Sequence, residues 1–222
     1  MAPVAWGLDV PGVVNRLPTQ DRVVALTFDA CGGGRGSGYD AALVDTLRAT
    51  RTPATLFLNE RWVRAHPEIT AELAGEPLFE IANHGTAHRP LSVTGRSAYG
   101  IPGTASAGEV YDEVSGNRRT LTGATGVAPR FFRSGTAHYD DVAVRIAGDV
   151  GETVVNFDVN GDAGATLTPH GVAAALESAT PGSIVLCHMN QPGCGTAQGV
   201  ATALPRLARA GFRFVRLSDY LA

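Results

Sequence analysis

Short β-branched and aromatic runs alternate along this chain with segments of helical periodicity, and that alternation restricts the possible folds more than any other feature. The runs fall at 23–28, 54–58, 78–82, 129–132, 153–157, 183–187 and 212–217, mostly bounded by Gly, Pro or Asp. Helical patterns lie between them at 41–50, 67–74, 109–121, 140–148, 168–179 and 199–210, with Gly211 where a helix-terminating glycine belongs. Repeated strand and helix with strands apolar on both faces implies a parallel sheet, and about seven strands favours closure. The expected class is therefore α/β, a distorted (β/α) barrel of about seven strands. With 222 residues, 44% of them hydrophobic, the chain can bury a sizeable core and reads as a single domain over 1–222, residues 1–21 being an N-terminal extension.

Charge and composition exclude several classes. A net charge of −3 with scattered basic residues leaves no electrostatic footprint for nucleic acid. No apolar run approaches the length that spans a bilayer, and the N-terminus lacks a basic segment followed by an apolar one. Cys31, Cys187 and Cys194 are odd in number, so at least one is free or liganded, and the redox compartment stays open.

In a parallel barrel the carboxyl ends of the strands gather on one rim, where active sites form. Asp29 ends the first strand, His84 and His88 follow the third, Arg133 follows Phe131 and Phe132, Asp158 follows Phe157, and His188 follows Cys187. Each alone has an ordinary explanation as a turn cap, ion-pair partner or satisfied histidine; together they are hard to attribute to chance. The histidines four apart can converge on one ion if the segment turns helically, and neutral imidazole is a common zinc ligand. Two loops interrupt the rhythm. Residues 31–38 hold five glycines directly after the first strand, without the Lys-Ser/Thr ending of a phosphate loop. Residues 91–106 form a long polar insertion beside the histidine pair, either a wall of the site or a surface excursion.

The ordered segments Thr27-Phe28-Asp29, Asn83-His84-Gly85-Thr86-Ala87-His88, Phe131-Phe132-Arg133 and Leu186-Cys187-His188 resemble the polysaccharide deacetylase family, the NodB homology domain of the family 4 carbohydrate esterases. The likeness extends from about Arg22 to Leu221 and implies a NodB-like barrel, in agreement with the strand count. It implies metal-assisted hydrolysis of an N-acetyl amide, with Asp29 as general base, His84 and His88 as ligands of a divalent metal such as zinc, and Arg133 orienting the base. His188 would be the general acid, Asp158 the carboxylate that tunes it, and Thr136 the residue whose backbone N–H binds the oxyanion. The chemistry is coherent on physical grounds: a cation polarises the carbonyl, a carboxylate deprotonates water, and an imidazolium protonates nitrogen.

The departures are equally specific. The family's first motif usually has a second Asp as a further metal ligand, and here Ala30 stands there. The site is then completed by waters, repaired by another residue, or weak in metal. Cys31 is the nearest repair, as a thiolate ligand or else a buried thiol or disulfide partner; Asp162 is a second candidate that turn formation explains equally well. No groove-lining Trp occurs near Asp158, Trp6 and Trp62 read as packing residues, and His138 is a surface residue, substrate contact or ligand. Three functions remain: deacetylation of an N-acetylated glycan, hydrolysis of a small N-acylated molecule, or a catalytically silent carbohydrate-binding domain. The family implies an extracellular or cell-envelope location, with a cytoplasmic one as the alternative.

Overall fold

The computed structural model describes residues 2–34 and 36–222; Met1 and Arg35, the latter inside the glycine-rich loop, lie outside the described residues. In chain order the elements are β1 (Trp6–Gly7), β2 (Val23–Ala30), α1 (Ala41–Thr50), β3 (Ala54–Leu58), α2 (Glu60–Ala65), α3 (Pro67–Ala74) and β4 (Phe79–Asn83). They continue with α4 (Ala107–Thr125), β5 (Phe131–Phe132), β6 (Tyr139–Asp140), α5 (Asp141–Asp149), β7 (Thr153–Val154) and β8 (Val159–Asn160). The last are α6 (Pro169–Glu177), β9 (Ser183–His188), α7 (Thr196–Arg209) and β10 (Arg213–Val215). The main sheet is parallel in the order β7-β5-β4-β3-β2-β9-β8, with β10 paired to the start of β2.

This sheet curls because its two ends are consecutive in sequence. The Val155 N–H donates to Phe132 O (2.9 Å) on one side of the seam, and the Asp158 N–H donates to Ile184 O (3.2 Å) on the other. One short stretch of chain thus joins β5 to β9 and completes the distorted (β/α) barrel expected from the alternation. The N-terminal residues fill that seam rather than standing off as an extension. Val14 pairs in parallel with Val155, its carbonyl accepting from Asn156 N–H (2.8 Å), while Val10 and Leu17 are buried.

Side-chain parity sorts each strand into two layers, as the two-residue period requires. On β2, Val24, Leu26, Phe28 and Ala30 face Leu43 and Leu47 of α1, Leu176 of α6 and Leu204 and Leu207 of α7 in the outer core. Val23 and Ala25 of the same strand face inward with Phe57, Ala82, Phe131, Val155 and Ile184. Burying each such Leu or Phe contributes roughly 1.5–3 kcal/mol. Helix starts follow from capping chemistry: the Asp40, Ser106, Asp140 and Thr168 side chains accept N–H groups of the first turns of α1, α4, α5 and α6. Gly126, left-handed at φ 75°, ends α4.

Four elements escape the periodicity: β1, β6, β8 and α2. The first three are two residues long, too short to show a pattern, and α2 begins directly where β3 ends with Asn59 as its cap.

A buried polar network sits under the end of β4. The Asn83 amide donates to Val114 O (2.9 Å) and Glu152 Oε2 (2.8 Å), and its Oδ1 accepts from Gly85 N–H (2.9 Å) and Asn117 Nδ2 (2.7 Å). Burial pushes Glu152 up to about 8 against the weaker pull of Asn83 and Arg118, and its Oε1 has no partner. With its folded pKa raised above the ordinary 4.5, the native state holds a proton that the unfolded chain has released. Stability therefore falls as pH rises from about 4.5 to about 8. In denaturant unfolding at pH 5 and pH 8, Glu152→Gln is expected to shrink that fall by on the order of a few kcal/mol; an unaltered pH dependence would show that Glu152 is ionised in the fold.

Candidate active site

Inward parity at the carboxyl end of the barrel brings four polar side chains together. Asp29 and His188 are register partners on adjacent parallel strands, while His84 and Arg133 directly follow β4 and β5. Arg133 is fully buried and held on every side. Its Nη1 donates to Asp29 Oδ1 (2.8 Å) and Thr27 Oγ1 (2.9 Å), Nε to Val155 O (3.0 Å) and Nη2 to Asn156 O (2.9 Å), and the guanidinium lies 4.1 Å from the Phe57 ring centroid. Burial pushes the Asp29 carboxyl up, but His84, Arg133 and His188 outweigh it and hold the group below its ordinary range.

His84 and His88 converge beside Asp29, their rings edge to face with centroids 4.9 Å apart. The connecting segment is a loop rather than a helical turn. His88 has a left-handed backbone (φ 62°), and the Glu113 carboxylate of α4 accepts N–H groups of Ala87 (3.0 Å) and Arg89 (3.3 Å). Asn59 donates to both His84 O (2.9 Å) and Gly85 O (2.7 Å). Neither Asn59 nor Glu113 stood out in the sequence, because each acts through main-chain atoms of a distant segment.

The Cys31 Sγ is 3.8 Å from His84 Nε2, and ligand atoms of Cys31, His84 and His88 all lie within 4.8 Å of one another. Two observations fit a cation here. His84 Nδ1 is engaged with Arg133 O (2.9 Å), which leaves Nε2 turned towards Cys31 and Asp29, and buried His88 Nε2 has no hydrogen-bond partner. Burial pushes the Cys31 thiol up, but hydrogen bonding to His188, His84 and His88 holds it well below the ordinary thiol range. Burial lowers His84, and the Asp29 and Cys31 charges more than restore it; the proton they favour is one that a cation would replace. All three cysteines are free thiols.

His188 is oriented by Asp162, which corrects the expectation placed on Asp158. Asp162 Oδ1 meets His188 Nδ1 at 2.9 Å, and its Oδ2 accepts the His188 N–H (2.6 Å) and the Thr196 hydroxyl (3.0 Å). Asp158 instead accepts from Ser183 Oγ (2.9 Å), Ile184 N–H (2.8 Å) and Arg16. The reason is register. The seam strand runs on to Asn160, which pairs with Leu186, so Asp158 lies beside Ile184, four residues or roughly 13 Å below His188. Burial lowers His188, but the Asp162 hydrogen bond and Cys31 hold it well above the ordinary histidine range.

A cavity of about 390 Å³ opens beside Asp29 and His188, which line it with Thr136, Phe157, Leu186 and Asn160 among others. Leu8 from the N-terminal segment and Tyr99 and Ile101 from the 91–106 insertion form its outer wall. Trp62 is a buried packing residue, whereas His138 contacts the rings of Trp6 (5.9 Å) and Tyr99 (5.2 Å) and is not part of the Cys31, His84 and His88 cluster.

Fold and site define a curled (β/α) barrel with a buried Asp–Arg pair, an Asp–His pair and a Cys–His–His cluster on one rim. The sequence profile of the polysaccharide deacetylase family matches residues 16–155, and the chain belongs to that family. An uncharacterized protein of Streptomyces coelicolor is 30% identical over 220 residues, 97% of this chain and 79% of that one. A peptidoglycan-N-acetylglucosamine deacetylase of Bacillus cereus is 26% identical over 220 residues, 96% of this chain and 95% of that one. Among solved structures, a CE4 family pseudoenzyme from Bacillus anthracis superposes with a TM-score of 0.80 at 22% identity, over 96% of this chain and 70% of that one. No helix among the described residues is long and apolar enough to cross a membrane.

The close fit around His88 is testable. A Cβ on Gly135 would fall 2.4 Å from His88 Cγ and 2.5 Å from its carbonyl group, atoms that cannot yield without moving the loop. Gly135→Ala is expected to destabilise the fold by about 1–3 kcal/mol in thermal denaturation; an unchanged melting temperature would mean that the loop shifts freely.

Proposed function

We propose that this chain is a metal-dependent hydrolase that removes acetyl groups from N-acetylated amino sugars of a glycan. The observation that carries the reading is the pairing of Asp29 with His188 in register. One is biased towards its ionised form by Arg133, the other towards its protonated form by Asp162, at the floor of one cavity. A base and an acid with opposite biases are what amide hydrolysis needs. A pure sugar-binding domain has no use for either.

In this reading Cys31, His84 and His88 hold the cation, zinc being the choice that thiolate and imidazole ligands favour. When bound it polarises the acyl carbonyl and acidifies water. Asp29, fixed by Arg133, takes a proton from the attacking water as its oxygen bonds to the acyl carbon. His188, oriented through the Nδ1 contact to Asp162, delivers a proton to nitrogen as the C–N bond breaks, releasing acetate and the free amine. The Thr136 backbone N–H would serve the oxyanion, a reading supported by the place of Thr136 in the cavity wall. A substrate in cell-wall or related glycan puts the working chain outside the cytoplasm or in the envelope.

Acetate release from a β-1,4-linked tetramer of N-acetylglucosamine tests the chemistry. Asp29→Asn and His188→Ala are each expected to lower kcat by about 10²–10⁴, and wild-type turnover in either would sink the mechanism. Asp162→Asn should cost at least about tenfold and Asp158→Asn almost nothing; the reverse order would restore Asp158 as the partner of the acid. Equilibrium zinc binding should weaken in Cys31→Ser, and unchanged affinity would remove the thiolate from the ligand set.

A further inference from the structure

We propose that Tyr99, at the tip of the 91–106 insertion, is the sugar-stacking platform of a substrate subsite next to Asp29 and His188. This rests on the glycan reading above and adds a residue that determines which substrates the site grips. Ala98 and Ile101 pair with reciprocal backbone hydrogen bonds (3.2 and 2.9 Å), closing a two-residue hairpin turn at Tyr99 and Gly100. Both turn residues are left-handed, at φ 52° and φ 76°, the combination that favours Asn-Gly and penalises an aromatic residue at its first position. Tyr99 is 78% exposed, so burial does not offset that strain. Its ring nevertheless lines the same cavity as Asp29 and His188.

The ring is also braced. It stands edge-on to His138 (5.2 Å, 89°), His138 leans on Trp6 (5.9 Å), and the Arg96 guanidinium lies 5.0 Å from the Trp6 ring. This row joins the insertion to the N-terminal segment and fixes the direction in which the exposed face of Tyr99 points. An aromatic face braced at one edge and left bare, lining a cavity with a carboxylate and an imidazole, suits a ligand with a flat apolar face and polar edges. A pyranose ring has both. The walls agree: Leu8, Ile101 and Phe157 offer apolar contact, Asn160 and Thr136 hydrogen-bonding groups. Tyr99 comes from the insertion, outside the four segments that carry the family resemblance.

The test is equilibrium binding of the N-acetylglucosamine tetramer flowed over the immobilised full chain, so that fresh ligand is supplied whether or not it is turned over. Tyr99→Ala is expected to weaken binding roughly tenfold, about 1.4 kcal/mol, with Tyr99→Phe close to wild type. Tyr99→Gly, which suits the left-handed turn, should lose the same affinity while its melting temperature holds or rises. Undiminished binding in Tyr99→Ala overturns the platform and leaves the glycan reading intact. Lost affinity with a lower melting temperature in Tyr99→Gly also overturns it, assigning the residue to the fold. A wild-type chain that binds no tetramer overturns both.

Discussion

The rim is organised around one buried ion pair, Arg133 with Asp29. Removing a guanidinium and a carboxylate from water costs several kcal/mol each, and only close hydrogen bonding on all sides offsets that. Arg133 meets the demand by drawing acceptors from β2, from the seam at Val155 and Asn156, and from the face of Phe57 on β3. Its own N–H donates to Asn83 O at the end of β4, and its carbonyl faces His84 Nδ1. A single residue therefore sets the spacing of the strands that carry Asp29 and His84.

Electrostatic bias then divides labour between two neighbours. Asp29 and His188 occupy equivalent places on adjacent strands, and in isolation each would lower the other's reactivity by simple pairing. Arg133 on one side and Asp162 on the other engage them laterally, so that each is oriented by a partner outside the cavity. Asp162 fixes the imidazole in one orientation because both its carboxylate oxygens are committed, one to the ring and one to the His188 backbone and Thr196.

The fold was legible in the sequence because long strands advertise themselves. β2, β3, β4 and β9 are five to eight residues long, and the polar residues at or just beyond their carboxyl ends are the rim residues. Where pairing involves only two residues, period and end point are invisible, and that accounts for the exchange of Asp158 for Asp162. The run 153–157 looked like a complete strand ending at Asp158, whereas the chain crosses the seam and pairs again at Val159 and Asn160. The N-terminal segment is silent in the sequence for a related reason: its contribution is a few backbone bonds at the seam and the burial of Val10 and Leu17, none of which makes a periodic pattern.

Ala30 illustrates how strand parity decides which side chains reach the rim. Its methyl group lies on the outer face of β2, fully buried among Leu58, Trp62 and Val63, one residue out of phase with inward-facing Asp29. Asp29 shares the inner face with His84, its Oδ2 3.5 Å from Nε2, and Cys31 is the first residue beyond the strand. Gly32 and Gly33, left-handed at φ 68° and φ 84°, fold the chain back against α2, where a Cβ on Gly32 would fall 2.7 Å from Trp62 N. Only glycine allows that approach, and the return of the loop holds Cys31 by its carbonyl, which accepts from Arg61 (3.2 Å), with Sγ towards His84. The glycines after the first strand thus have a steric purpose unrelated to phosphate: they let the chain turn back so that the Cys31 thiol faces His84.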